Sequence, residues 1–265
     1  MIVTSRSNPA IKRVRALSRR SARAQTGLFL AEGIHLVGEA VEAGTDVELV
    51  IVAPDLLRSP AGWRMLDELK ATGVPVLEVD PDVFTSISLK EGPQGIAVVA
   101  HQRWMSLEDA RPGEGVGWVA LEAVQDPGNL GSILRTGDAV GASGLVILRP
   151  AADPYDPTAV RASMGAVFRQ QLARAGLPAL REWATRSGMP IVGASDAVLE
   201  DYATVRYQTP LVLLMGSEQK GLSDEALALV DTLVRIPMAG HVDSLNLSVA
   251  TAVVLYQIFN RERQP

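Results

Sequence analysis

The 265-residue sequence contains no cysteine, three histidines and few aromatic residues. The lack of cysteine excludes disulfides, iron–sulfur clusters and thiolate zinc sites, and it favours an intracellular, cytoplasmic protein. His35, His101 and His241 are scattered without the spacing of metal ligands, so no metal site is predicted.

Long apolar runs are also missing. The longest, such as Leu211–Met215, fall far short of the ~20 residues that a membrane-spanning helix needs. No apolar stretch follows the basic N-terminus, so neither a signal peptide nor a membrane partner is predicted. A content of 47% hydrophobic and 21% charged residues is typical of a folded globular protein with one large domain or two smaller ones.

The net charge of −5 hides an uneven distribution. Residues 1–31 carry seven basic and no acidic side chains, which leaves −12 for the other 234 residues. A local cationic segment on an acidic chain suits contact with one polyanion such as RNA, although a solvated basic helix has the same composition. The candidate RNA contacts in this segment are Arg6, Lys12, Arg13, Arg19 and Arg20.

The first part of the sequence, residues 1–104, predicts a small α/β domain. Asn8 and Pro9 favour a helix start, and the basic helix is expected to continue to about Ala24. A helical pattern with an apolar stripe follows near Glu32–Ala43. Short β-branched runs then predict strands at Val47–Val52, Val74–Val79 and Gly95–Ala100.

Residues 105–116 lose this periodicity and include Arg-Pro-Gly-Glu-Gly, which predicts a linker. Residues 117–265 alternate apolar strands with helices on a larger scale, and the strands are predicted at Trp118–Val124, Leu145–Leu148, Pro190–Ala194, Leu211–Met215 and Leu233–Pro237. Strands that are apolar throughout indicate a parallel sheet covered by helices on both faces. The last helix, expected over Leu245–Arg261, is apolar nearly all round and therefore predicted to be buried.

Three polar, glycine-rich loops follow predicted strands of this second part. In an open α/β sheet, ligands bind at the carboxyl ends of the strands. Asn129 can cap the helix after the first loop, Arg135 suits a phosphate, and Gly216 lets a ligand approach the backbone. The loops lie in EAVQDPGNLGSILRTGDAVG (122–141), LVLLMGSEQKGLS (211–223) and IPMAGHVDSLNLSVA (236–250).

In order and spacing, these loops resemble the three motifs of the SpoU family of RNA ribose 2′-O-methyltransferases, over about residues 117–262. The segment SRSNPAIKRVRALSRRSARAQTGLFLAEGIHLVGEA is similar to the substrate-binding domain that often precedes them. The resemblance implies a parallel α/β sandwich with a C-terminal trefoil knot, after a small ribosomal-protein-like α/β domain. It further implies S-adenosylmethionine as cofactor, RNA as substrate and an obligate homodimer, with the last helix buried under the knot and against the second subunit. Burial of that helix within one chain is the alternative.

The resemblance also assigns roles to residues of the three loops. It places Arg135 at the ribose hydroxyl. Because a guanidinium is a poor base, we expect Arg135 to anchor the target phosphate and polarise the hydroxyl; proton removal by Arg135 stays open. Ser244 and Asn246 would hold Arg135 and the ribose. The implied catalytic set is Asn129, Arg135, Glu218, Ser244 and Asn246. The implied cofactor contacts are Met215, Gly216, Ile236, Met238 and Leu245.

VRASMGAVFRQ, residues 160–170, is also similar to the family and adds Arg161 and Arg169 as RNA contacts. Large ribosomal RNA, here 23S RNA, is the preferred substrate, because a separate front domain precedes the catalytic one. A transfer-RNA methyltransferase, an antibiotic-resistance enzyme and a non-catalytic RNA-binding protein remain alternatives. A Rossmann enzyme is disfavoured, since the only glycine run, 113–117, precedes its strand.

Overall fold

The computed structural model describes residues 2–89, 91–148, 150–196 and 198–263. In chain order its strands are β1 Leu28–Glu32, β2 Val47–Val52, β3 Val76–Glu78, β4 Ile96–His101, β5 Gly117–Glu122, β6 Gly144–Leu148, β7 Gln171–Ala175, β8 Ile191–Ala194, β9 Leu211–Met215 and β10 Thr232–Val234. The helices are α1 Pro9–Ala16, α2 Arg20–Thr26, α3 Ile34–Glu42, α4 Pro60–Ala71, α5 Pro81–Thr85, α6 Pro127–Ala139, α7 Pro157–Ala162, α8 Ala166–Arg169, α9 Leu177–Arg186, α10 Asp224–Leu227 and α11 Leu247–Arg263.

The chain divides into two compact units. The first consists of Met1–Gln102 together with Asp153–Arg169, and the second of Arg103–Ala152 with Gln170–Pro265. A segment from the second half of the sequence therefore folds with the first unit. The boundaries 1–104 and 117–265 stay a prediction for the two functional domains.

Several helices begin at the same two-residue signal. In each, an Asn, Ser or Asp side chain accepts a hydrogen bond from a first-turn amide, and a proline follows at the first helical position. Proline suits this position because its fixed φ matches the helix and its missing N–H would lack a partner there anyway. The pairs are Asn8-Pro9, Ser59-Pro60, Asp80-Pro81, Asp126-Pro127 and Asp156-Pro157.

The first unit is built on a four-stranded sheet in the order β1-β4-β2-β3. β4 runs antiparallel to both β1 and β2, whereas β3 is parallel to β2. The prediction of one continuous basic helix is wrong, because the helix ends at Ala16 and a second helix begins at Arg20. The guanidinium of Arg23 donates to the carbonyls of Leu17 and Ser18, which lie in the break between the two helices.

The segment Asp153–Arg169 packs into this first unit through aromatic and ionic contacts. The ring of Phe29 on β1 lies 4.7 Å from that of Tyr155 and 5.9 Å from that of Phe168, centroid to centroid. Arg23, 1% exposed, pairs with Asp153 at 2.8 Å and with Asp156 at 3.1 Å. A buried cation is stable only with such partners, so these contacts tie the segment to the front helices.

The second unit contains a six-stranded sheet in the order β10-β8-β9-β5-β6-β7. Every neighbouring pair in it is parallel, which confirms the predicted covered parallel sheet. Leu107 and Ala110, from the segment predicted as a linker, are buried in its core. The Trp183 indole N–H donates to the Ala110 carbonyl at 2.9 Å, so this segment is packed.

The last helix, α11, packs against α6 and β9. It buries Leu247, Thr251, Val254, Leu255 and Ile258, so the predicted burial holds for one face of the helix. The trefoil knot that the resemblance implies stays a prediction. In the part of the chain that the structure describes, no helix has the length and apolar character needed to cross a bilayer.

Candidate active site

One polar side chain from each of the three loops lies in a cluster where β5 and β9 end. These strands are hydrogen-bonded neighbours, so the loops that follow Glu122 and Met215 leave the sheet side by side. α11 approaches the same edge because it packs against α6, the helix that follows β5. The sheet order thus brings together loops separated by about half of the chain.

A chain of hydrogen bonds joins one residue from each loop. The Asn129 amide nitrogen donates to Glu218 Oε1 at 3.0 Å, and the Asn129 carbonyl oxygen accepts from the Asn246 amide at 3.0 Å. The structure therefore brings together three of the five predicted catalytic side chains.

The prediction that Asn129 caps α6 is wrong. Asp126 is the N-cap, and its carboxylate accepts from the main-chain N–H of Asn129 at 2.8 Å. Asn129 sits in the first turn, where its side-chain amide is free to bond with the other two loops. Asn246 has a capping bond at a different helix, α11, where its side-chain carbonyl oxygen accepts from the main-chain N–H of Ser248 at 2.9 Å.

Glu218 is held as a carboxylate. Burial raises its pKa, but the hydrogen bond from Asn129 and those from the main chain, including the N–H groups of Gln125 and Asp126, outweigh it and hold the pKa below its ordinary value. The group is therefore an ionised hydrogen-bond acceptor at neutral pH, suited to orienting Asn129.

Arg135 and Ser244 stand outside this hydrogen-bond chain. Both are exposed, and in the described part of the chain neither side chain has a hydrogen-bond or ionic partner. The expected hold of Ser244 and Asn246 on Arg135 is not formed within one chain, so it stays a prediction. Arg135 extends from α6 while its neighbours Ile133 and Leu134 are buried.

A second carboxylate at the same strand ends was not predicted from the sequence. Glu122, the last residue of β5, accepts from the Ser223 hydroxyl at 2.6 Å and from its N–H at 2.9 Å. It thereby connects the first strand end to the second loop. An acid at the end of the otherwise apolar run GWVALE is the signal that could have identified it. The next residue, Ala123, has φ +55°, a strained conformation for alanine next to a site.

The predicted cofactor contacts line two strand ends and the third loop. Met215 and Gly216 are buried at the end of β9, Ile236 and Leu245 are half-buried, and Met238 is 37% exposed. A Cβ on Gly216 would lie 2.0 Å from the Gly221 carbonyl carbon, so this glycine lets the loop close on itself. The close approach that the lack of a side chain allows is therefore between Gly216 and its own main chain at Gly221.

The third loop has a main chain without internal partners. No main-chain hydrogen bond within the described chain involves residues 236–245. Polar main-chain groups need partners, here solvent or a ligand. Met238 and Val242, 37% and 63% exposed, add apolar surface to it. Exposed N–H and C=O groups beside apolar side chains suit a nucleoside such as the adenosine of S-adenosylmethionine.

The predicted RNA contacts all lie in the first unit. Arg13 is paired with Glu48, and Arg169 with Glu39 and Glu42, so those two charges are largely neutralised. The remaining five are exposed and have no side-chain partner among the described residues: Arg6, Lys12, Arg19, Arg20 and Arg161.

In the part of the chain that the structure describes, no cluster of three or more potential metal ligands is found.

Comparison with known proteins shows the family of the chain. The SpoU rRNA Methylase family matches residues 118–256, and the MRM3-like substrate binding domain matches residues 8–98. The 23S rRNA (guanosine(2553)-2′-O)-methyltransferase RlmP of Bacillus subtilis is 29% identical, over 97% of this chain and 98% of that protein. The 23S rRNA (uridine(2479)-2′-O)-methyltransferase of Streptomyces viridochromogenes is 32% identical, over 91% and 85%.

Among solved structures, the AdoMet-bound rRNA methyltransferase from Sinorhizobium meliloti aligns with a TM-score of 0.91 and 38% identity, over 100% of this chain and 99% of that one. The family match covers more than half of the chain and includes the three loops that meet at the strand ends. The chain belongs to the SpoU rRNA methylase family.

Proposed function

We propose that this chain transfers a methyl group from S-adenosylmethionine to the 2′-oxygen of a ribose in 23S ribosomal RNA. The observation that carries the proposal is the hydrogen-bond chain Glu218–Asn129–Asn246, which joins the three family motifs at one sheet edge. The named activities of the Bacillus and Streptomyces relatives support the ribosomal substrate.

The third loop and the end of β9 fit the cofactor. The main chain of 236–245, which makes no main-chain hydrogen bond among the described residues, offers donors and acceptors to an adenine edge. The side chains that would hold the cofactor are the predicted Met215, Ile236, Met238 and Leu245, with Gly216 keeping the adjoining loop closed. When bound, S-adenosylmethionine supplies an electrophilic methyl group on a sulfonium, and the rest of the site orients the acceptor.

Arg135 is the residue best suited to orient the RNA. Its guanidinium is exposed and free of partners in the described chain, so a phosphate does not have to displace a carboxylate. Anchoring the phosphate fixes the ribose for in-line attack, and well-oriented reactants gain on the order of 7–11 kcal/mol. Ser244, also unpartnered, is placed on the third loop to contact the ribose or Arg135 once RNA is bound.

We include in this proposal a homodimer that works in the cytoplasm. Val249 and Tyr256 are 47% and 43% exposed on α11 and lie seven residues apart, hence on one face of the helix. Exposed apolar side chains on one face are typical of a surface that a second subunit covers. The absence of cysteine supports the cytoplasmic location.

Transfer of labelled methyl groups tests the activity. Purified protein, labelled S-adenosylmethionine and 23S RNA lacking its modifications should give label in the RNA that resists alkaline cleavage on its 3′ side. Label in transfer RNA alone would show that the substrate is transfer RNA and not 23S RNA. Cofactor binding without transfer to any RNA would contradict the enzymatic role.

Replacement of Arg135 tests the site. Arg135→Ala should reduce transfer by ~100-fold or more, with cofactor affinity changed less than about twofold, because the lost contact orients the RNA. Arg186→Ala, an exposed arginine on α9, is the matched control and should leave transfer unchanged. Full activity of the Arg135 variant would overturn the assignment of this residue.

A further inference from the structure

A cavity of about 270 Å³ opens in the first unit, apart from the residues assigned to methyl transfer. Its walls come from β1, α3, the loop after α5, and α7 of the returning segment. Leu30, Leu36 and Val160 form a buried apolar surface, and Leu89, 57% exposed, lies at the rim. Drug-sized ligands occupy roughly 300–1,000 Å³, so this cavity suits a smaller, ring-sized group.

Two charged side chains of opposite sign line the cavity, and in the described structure no ion pair joins them to each other. Arg161 is exposed and, among the described residues, has no hydrogen-bond or ionic partner. Glu32 accepts from the Ser88 hydroxyl at 2.6 Å and from the Leu89 N–H at 3.2 Å, one bond at each carboxylate oxygen. Each oxygen retains a further lone pair, since a carboxylate offers about four acceptor positions.

This combination matches the parts of one nucleotide. A planar base fits between apolar walls, a free guanidinium pairs with its phosphate, and a fixed carboxylate accepts from N–H groups of the base edge. Guanine presents two adjacent N–H donors, N1–H and the N2 amino group, to the two oxygens of a carboxylate. Uracil presents mainly carbonyl oxygens, which a carboxylate repels.

We propose that this cavity binds one unpaired nucleobase of the substrate RNA, with guanine preferred, through Glu32 on the base edge and Arg161 on the phosphate. The proposal rests on the proposed function in that the RNA is the substrate to be methylated. It gives the first unit a sequence-reading role beyond general attraction of the RNA backbone.

Short single-stranded RNAs test the preference. A fluorescently labelled pentanucleotide with a central guanosine between uridines is compared with the all-uridine pentamer, by anisotropy on the full chain at one fixed salt concentration. The guanosine probe should bind the unchanged protein about fivefold tighter or more, the range of one good base-edge contact. Equal affinity for the two probes would overturn the proposal.

Two substitutions separate the base contact from the phosphate contact. Glu32→Gln should abolish the preference for guanosine, because an amide offers one acceptor oxygen and an unwanted donor. Arg161→Ala should weaken both probes by about tenfold, since a charge-assisted bond to phosphate carries no sequence information. Glu68→Gln and Arg64→Ala, exposed on α4, are the matched controls and should change neither affinity nor preference.

A photocross-link keeps the test decisive if Glu32→Gln does not fold. The same pentamer with 6-thioguanosine, irradiated with the unchanged protein, should attach to peptides that contain Leu89 or Arg161; attachment only elsewhere would overturn the proposal. Methyl transfer is measured on the same preparation. Intact methyl transfer with no guanosine preference refutes only the proposed binding of a nucleobase in the cavity. Guanosine preference without transfer to any RNA refutes the proposed methyltransferase activity.

Discussion

At the scale of single residues, the site depends on one side chain that both donates and accepts. The Asn129 amide bonds to a carboxylate on one side and to an amide on the other, which neither aspartate nor leucine could do. The family resemblance predicted Asn129, Glu218 and Asn246 as site residues, and the structure places the three side chains together. Their mutual bonds could not be predicted, because these depend on which residue caps α6, and both Asp126 and Asn129 are good caps.

Replacement of Asn129 should raise the pKa of Glu218. In Asn129→Ala the carboxylate loses its side-chain donor, while burial, which raises the pKa, remains. Because the folded pKa of Glu218 is lowered, its contribution to stability is present above the unfolded pKa and disappears as the pH falls through the folded value. In the variant the folded pKa lies closer to the unfolded one, so this contribution should be smaller and should be fully lost at a higher pH than in the unchanged protein.

The measurement is an NMR titration of the labelled Glu218 carboxyl carbon, together with unfolding free energies between pH 3 and pH 7. Asn260→Ala, near the C-terminal end of α11, is the control and should leave the titration unchanged. An identical Glu218 midpoint in the Asn129 variant would contradict the role given to this hydrogen bond.

At the scale of elements, the apolar strands were the most predictable parts. β2 and β9 were predicted with their observed bounds, because both consist almost entirely of valine, leucine and isoleucine, with Glu48 in β2 and Met215 in β9 as the exceptions. β7 was missed, since Gln171 and Arg174 interrupt the apolar pattern at this edge strand. The break between α1 and α2 was also missed, because it depends on the burial of Arg23, which composition assigns to the surface.

Loss of the Arg23 guanidinium should destabilise the first unit. Arg23→Ala leaves the buried Asp153 without its cation and the Leu17 carbonyl without its donor. Breaking a buried ion pair from one side costs about 3–5 kcal/mol. Denaturant unfolding measures this free energy, and the exposed neighbour variant Arg20→Ala should change it by less than about 0.5 kcal/mol. Equal stability of the two variants would show that the pairing contributes little.

A methyl group on Gly216 should disturb the loop after β9. In Gly216→Ala the new carbon would lie within 2.0–2.3 Å of the main chain at Gly221 and Leu222, so the loop has to move. Overpacking of this kind costs about 1–3 kcal/mol, and cofactor affinity measured by calorimetry should fall with it. Gly240→Ala is the control for stability, since its Cβ would have no neighbour within 4 Å. Unchanged cofactor affinity in Gly216→Ala would exclude this loop from the binding site.

At the scale of the whole molecule, the proposed dimer makes a direct prediction. Tyr256→Arg places a charge on the exposed apolar face of α11 and should shift the protein from dimer to monomer in sedimentation experiments, because burying an unpaired charge is costly. Leu199→Arg is the control. Leu199 is 85% exposed and does not belong to α11, so this variant should keep the mass of the unchanged protein. A monomeric unchanged protein at micromolar concentration would contradict the dimer.

The returning segment Asp153–Arg169 restricts how the protein can be recombined with its relatives. A chimaera that replaces only residues 8–98, the extent of the substrate-binding match, would set foreign side chains against Tyr155 and Phe168 and leave Asp153 without Arg23. Exchange of the first unit of this chain for that of a relative therefore requires two grafts made together, one from each half of the gene.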